Sequence, residues 1–164
     1  MNSKGEVTEQ LQIITHSRGS AYGTKYMRSL ANEIKKLAKK DNIGFAYDEN
    51  SIIEYSVNLA PHQSNSINYT KSGSKNINIS HIGDLLSGND ATGDVINVHS
   101  IPEKNAGPID QHSTGMHVTE LDFILNILEK NTDKSKLLEQ VKTGYKKYDE
   151  SRNNGGKSSV KKGG

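Results

Sequence analysis

The chain has 164 residues and a mass of 18.0 kDa, enough for one domain with its own core but short for most multi-layer enzymes. Hydrophobic residues make up 32% and aromatics 5%, with no Trp and a mean hydropathy of -0.74, so the core should be modest and part of the chain loop or tail. A net charge of +2 and a pI near 8.6 give no concentrated positive face for phosphates, and with no Cys neither a disulfide framework nor a thiolate metal site can form.

The opening "MNSKGEVTEQ" lacks the apolar core of a signal peptide, and no run is long enough to span a bilayer. No stable membrane insertion is expected, and the compartment stays open. "LQIIT" (Leu11 to Thr15) is a continuous apolar run suited to a strand buried on both faces of a parallel sheet. Tyr26, Leu30, Ile34 and Leu37 then recur at helical spacing, and Lys35, Lys36, Lys39 and Lys40 fill the last turns, where the helix dipole favours cations. The spacing predicts a helix from about Ser20 to Lys40.

Three further strands are predicted in "SIIEYSVNLA", ended by Pro61, in "KNINISHIG", where Ile77 and Ile79 alternate with polar neighbours, and in "DVINVHS". The Asn, Ser, Gly and Asp of "APHQSNSINYTKSGS" and "DLLSGNDATGD" between them read as loop. Leu121, Ile124, Leu125 and Leu128 line one face of a second helix in "VTELDFILNILEK", with His117 or Thr119 near its cap, and a weaker third helix lies in "KSKLLEQVKTGYKKY". The Gly, Ser and Lys of residues 149–164 read as a disordered basic tail following a single domain over 1–148. The order strand, helix, three strands, helix gives an α/β class with a mostly parallel sheet of about four strands and flanking helices. Strands N-terminal to "LQIIT" are expected to be missing, because that strand needs neighbours on both sides.

Between the first strand and the first helix stands "THSRG". Strand, His-Ser-x-Gly and amphipathic helix is the setting of a nucleophile elbow, a sharp turn that lifts a serine oxygen above the sheet between small residues. Gly19 meets the need for a small residue, and Ser20, Ala21 and Gly23 let the helix start lie close to the sheet. Thr15 stands where the fuller motif has Gly, so crowding on that side must be relieved in another way. The helix N-terminus and the Arg18 N–H would face an oxyanion formed at Ser17. An acid and a base follow in the order such an architecture needs: Asp84 in the Gly-flanked turn "HIGDLLSG", with Asp90 and Asp94 as competitors, then His112 and His117 in "DQHSTGMHVTEL".

The blocks "IITHSRGSAYGTKYMRSLANEI", "VNLAPHQ", "SHIGDLLSGND" and the histidine before the second helix resemble the C-terminal half of the α/β-hydrolase-like domains at the ends of bacterial RHS-repeat-associated proteins, kin to serine lipases and esterases. The resemblance runs over roughly Leu11 to Lys130. It implies Ser17 as nucleophile, Asp84 as orienting acid and a histidine ahead of the last helix as base, His117 by its place against that helix and His112 as the alternative. It also implies a partial α/β-hydrolase sheet, since the first half, which carries the second oxyanion donor, has no counterpart here. The implied activity is hydrolysis of a small-molecule or lipid ester without cofactor or metal. The alternative is a non-catalytic remnant of a larger secreted or surface protein, partnered by the upstream part of the same polypeptide. Nucleic acid is not an expected partner. His16 would pack or hydrogen-bond under the turn, and His62 would line the site mouth or cap a loop. The oxygen-rich "DLLSGNDATGD" lacks the alternation and terminal Glu of an EF-hand calcium loop.

Overall fold

Four apolar runs demand burial, and the sheet they form is what positions every candidate residue. The computed structural model describes residues 9–41, 52–69, 74–87, 90–102, 107–130, 133–152 and 156–164. Its strands are β1 (Leu11–His16), β2 (Ile53–Leu59), β3 (Asn68–Tyr69), β4 (Lys75–His81), β5 (Thr92–Gly93), β6 (Ile96–Ser100) and β7 (Ser159–Lys162), and its helices are α1 (Gly19–Lys40), α2 (Val118–Lys130) and α3 (Lys134–Arg152). The main sheet has five strands in the order β1-β2-β4-β6-β7. Its first four are parallel and β7 runs antiparallel to β6, which makes the protein α/β with a mostly parallel sheet and flanking helices.

Tyr55, Val57, Leu59, Ile77, Ile79, Ile96 and Val98 point to one face and pack on Ile124 and Leu128 of α2 and Leu137, Val141 and Tyr145 of α3. This is the larger core. A second cluster joins Met27 of α1 to Ile52, Ile53, Ile67, Tyr69, Ala91 and Val95, with Ile13, Leu30 and Ile34 against it.

The polar residues alternating with the β4 isoleucines are buried too. Asn76, Asn78 and Ser80 are 2–6% exposed, and Asn76 accepts from Ser56 Oγ at 2.8 Å, Asn78 accepts from Tyr69 Oη at 3.0 Å and Ser80 Oγ meets His99 Nδ1 at 3.0 Å. Hydrogen bonding satisfies these groups out of water, so alternation here marks a polar buried layer rather than a solvent face.

Three expectations are corrected. Among the described residues β1 is an edge strand, paired with β2, and Leu11 and Ile14 are 42% and 49% exposed, so it is not buried on both faces. The two Asn- and Ser-rich segments read as loops contribute β3 and β5, which pair in parallel through Asn68 with Thr92 and Tyr69 with Gly93; residues 70–73 and 88–89 within them lie outside the described residues. The segment read as a disordered tail continues α3 to Arg152 and then adds β7 to the sheet, Val160 opposite Val98; residues 153–155 between them are not described. β6 offers an open row of backbone donors and acceptors, and pairing them draws in a segment with little apolar content of its own. Asp149 anchors the return by accepting from Ser158 N and Oγ, both at 2.7 Å. Among the described residues no helix is long and apolar enough to cross a membrane.

Candidate functional site

Ser17 occupies the single connection between the end of β1 and the start of α1, and its backbone takes φ +53°, a left-handed conformation that costs a non-glycine residue about 1–2 kcal/mol. The turn is held on both sides. Ser17 N–H donates to the Leu59 carbonyl at 3.0 Å, and the Ser17 carbonyl accepts from Ser20 N at 3.1 Å and His62 N at 3.3 Å. Such pinning is what maintains a strained conformer against relaxation.

The crowding expected from Thr15 is relieved by Gly23. A Cβ at Gly23 would stand 2.7 Å from Thr15 Cγ2, so glycine there makes room for the threonine methyl. The Thr15 hydroxyl donates to Asn58 Oδ1 at 2.6 Å and lies 3.0 Å from Ser20 Oγ, which fixes the rotamer that needs this space.

His112, at the end of a short 3-10 turn (Asp110–His112), brings Nε2 to 2.8 Å from Ser17 Oγ. Its Nδ1 lies 2.9 and 3.1 Å from the two carboxylate oxygens of Asp84. With the Nδ1 proton directed at a carboxylate, Nε2 is left as the acceptor for the serine proton. The buried Asp84 is not free to turn away: Oδ1 accepts from Leu86 N at 2.9 Å and Ser87 N at 3.3 Å, and Oδ2 from the Ser87 hydroxyl. Burial alone would push its carboxyl up, but the hydrogen bonds from Ser87, His112 and Leu86 and the His112 charge outweigh that and hold it below the usual range. Asp90 and Asp94 are engaged elsewhere, Asp90 with His99 and Lys161 and Asp94 with Lys134. The three aspartates of "DLLSGNDATGD" thus each serve different partners.

His117, the histidine favoured by its place against α2, does not lie at the serine. It is fully buried, and its ring faces Glu120 and the Gln111 carbonyl rather than Ser17. His112 is the ring at the serine. Arg18 directly follows Ser17 at the N-cap of α1, whose first turn carries no acidic side chain, so the positive end of the helix faces the turn without a neutralising charge.

Two histidines surround the pair. His16 Nε2 donates to the His112 carbonyl at 2.7 Å, and the His62 ring stands edge-on to His112 with centroids 6.4 Å apart. The first hydrogen bond could be foreseen only as one under the turn, because its partner is 96 residues away. A cavity of about 330 Å³ lies at the opposite, N-terminal end of the strands, between Asn76, Ile96 and Lys134.

Sequence reading missed a buried cluster beside the site. One ring nitrogen each of His81 and His117 and a carboxylate oxygen of Glu120 lie within 4.8 Å of one another. The two rings are stacked, with centroids 4.0 Å apart and 19° between planes. One nitrogen of each ring meets the same carboxylate oxygen, Glu120 Oε2, at 3.1 Å from His81 and 2.9 Å from His117, which are hydrogen-bond distances. The cluster fits hydrogen bonds better than a metal. The one sequence signal was the i, i+3 spacing of His117 and Glu120.

No family model matches this chain, and neither a curated protein nor a solved structure shows significant similarity to it.

Proposed function

We propose that the protein is a serine hydrolase of acyl esters, lipase- or esterase-like, working through Ser17, His112 and Asp84. The observation that carries this reading is one imidazole bridging two groups: Nε2 at 2.8 Å from a serine oxygen held at positive φ, and Nδ1 at 2.9 Å from a buried carboxylate. A serine serving only as a helix cap needs neither contact.

In this mechanism Ser17 Oγ attacks the ester carbonyl while its proton passes to His112 Nε2. Asp84 keeps the ring in the productive tautomer and stabilises the imidazolium. The carbonyl oxygen becomes an oxyanion beside the Arg18 N–H and the end of α1. Collapse breaks the ester C–O bond, and His112 gives its proton to the leaving alcohol. Water, deprotonated by the same ring, then releases the acid from the acyl-enzyme and restores Ser17.

A fluorophosphonate should label the folded chain once, on Ser17, and Ser17→Ala should abolish labelling. Well-folded protein that takes up no label would overturn the proposal. A second reading, a remnant module of a larger secreted or surface RHS-type protein that binds but does not turn over, is favoured by the place of β1 at the edge of the sheet among the described residues, where Leu11 and Ile14 are exposed. An unlabelled but folded chain is the result that reading expects.

A further inference from the structure

The carbonyl of Gln111, one residue before His112, is gripped by two histidines. His81 Nδ1 lies 3.0 Å from it and His117 Nε2 lies 3.2 Å from it. The remaining nitrogens of both rings meet a single carboxylate oxygen, Glu120 Oε2, at 3.1 Å for His81 and 2.9 Å for His117. The other oxygen of Glu120 accepts from the Ser100 hydroxyl. All three side chains are at most 3% exposed.

We propose that His81, His117 and Glu120 are positioning residues for His112, a clamp that fixes the Gln111 carbonyl and through it the ring facing Ser17. The inference rests on the reading of Ser17 and His112 as nucleophile and base. Each imidazole faces an acceptor at both nitrogens; a ring that donates through both carries a positive charge, and Glu120 brings the compensating carboxylate into the same buried space. A polar network of this kind, fully hydrogen-bonded in low dielectric, is stiff, because any displacement leaves a buried group unpaired.

The clamp reaches both halves of the relay. His81 ends β4, and its carbonyl accepts from Asp84 N at 3.2 Å, while Gln111 leads into His112. Ser100 at the end of β6 and Glu120 in the first turn of α2 tie these segments to the rigid sheet and helix. From the far side, His16 holds the His112 carbonyl. The base is thereby fixed at its own peptide and at the one before it. None of the three clamp residues is hydrogen-bonded to Ser17, so their influence passes through the backbone, at 111–112 to His112 and from His81 to Asp84.

The test uses the full chain and two readouts: the rate of labelling by a fluorophosphonate and the imidazole nitrogen shifts of His112 in protein carrying 15N-histidine. His81→Ala removes one grip on the carbonyl, whereas His81→Asn keeps an N–H donor near the Nδ1 position. We expect His81→Ala and Glu120→Gln, while still folding cooperatively, to slow labelling about 10- to 100-fold, the scale of losing an outer-shell orienting group, and to move the His112 shifts. His81→Asn should recover most of the rate. Folded variants that label at the wild-type rate with unmoved His112 shifts would overturn the proposal, and so would equal losses in His81→Ala and His81→Asn. Saturable uptake of one zinc ion at the cluster would overturn it as well. If wild-type protein takes no label, the hydrolase reading fails by itself, and the His112 shifts alone decide the clamp. If His81→Ala does not fold, Ser100→Ala takes its place, with displaced His112 shifts supporting the clamp and unchanged ones overturning it.

Discussion

Ser17 Oγ and His112 Nε2 meet at 2.8 Å although 95 residues separate them. The contact exists because β1 and β6 run parallel in one sheet and both deliver their following segments to the same edge. Brought together this way, a serine and a histidine need no local sequence relation, and only the chain order of acid and base hints at them.

Substitution separates the two candidate histidines. His112→Ala and Ser17→Ala should each reduce ester hydrolysis by about 10⁴- to 10⁶-fold, the scale for losing a base or nucleophile that acts as a unit with its partners. Asp84→Asn should cost about 10⁴-fold, since an amide stabilises the wrong tautomer of His112. His117→Gln, which keeps a donor near the Nε2 position, should retain far more activity than any of these. A steady-state assay on a short-chain aryl ester measures all four, and a His117→Gln protein as dead as Ser17→Ala would return the base to His117.

Acid stability should depend on Glu120. Burial pushes this carboxyl up, but hydrogen bonds from His117, His81 and Ser100 and the His81 charge bring it down to about 2 from an ordinary 4.5. A carboxyl depressed in the folded state stabilises the fold above its unfolded pKa and loses that contribution as pH falls through its folded value. For Glu120 the window runs from about pH 4.5 to about pH 2, with roughly 3 kcal/mol at stake. Urea melts at pH 7, 4.5 and 2.5 should show the midpoint dropping across this window in wild type and dropping less in Glu120→Gln.

Much of this architecture was legible before any coordinates. Helix α2 follows Leu121, Ile124, Leu125 and Leu128, and α1 runs to the lysines at its end, but Tyr26 and Leu37 of its apolar spacing are 56% and 54% exposed while Met27, Ala31 and Ala38 lie on the buried face. Other features were hidden for physical reasons. The buried status of Asn76 and Asn78 depends on partners such as Ser56 and Tyr69, which local alternation cannot reveal. β7 has one valine and is held by an edge that β6 provides, so its own composition reads as disorder. Ser17, Asp84 and His112 were all among the candidates, but proximity to α2 favoured His117 over His112, and the buried Glu120 that claims His117 carried only a weak spacing signal. Local pattern names candidate residues; which ring reaches the serine is decided by the 3-10 turn at 110–112.

Gly23 and Thr15 should behave as a coupled pair. Gly23→Ala puts a methyl 2.7 Å from Thr15 Cγ2, and the threonine cannot rotate away without losing its bonds to Asn58 and Ser20. Overpacking of this kind costs about 1–3 kcal/mol. Thr15→Gly in the same chain removes the clash, so the double variant should be more stable than the sum of the single effects allows. Denaturant midpoints of the four proteins complete the cycle; strict additivity would show that the two side chains do not share this space.

Removing residues 159–164 tests whether the last strand matters. A disordered tail could be cut without changing the unfolding midpoint. β7 instead covers the edge of β6, sets Val160 against the larger core and places Lys161 Nζ 2.9 Å from Asp90. Its loss leaves the β6 backbone groups open to water or to another chain, and the small apolar contribution of one valine is worth about 1–2 kcal/mol. We expect a truncated protein with a lower urea midpoint and a greater tendency to self-associate at high concentration, read by light scattering. Val160→Asp should lower the midpoint by a similar amount, because it unpins the strand while keeping the chain length. A midpoint unchanged in both variants would show that the pairing of Val160 with Val98 contributes nothing to the fold.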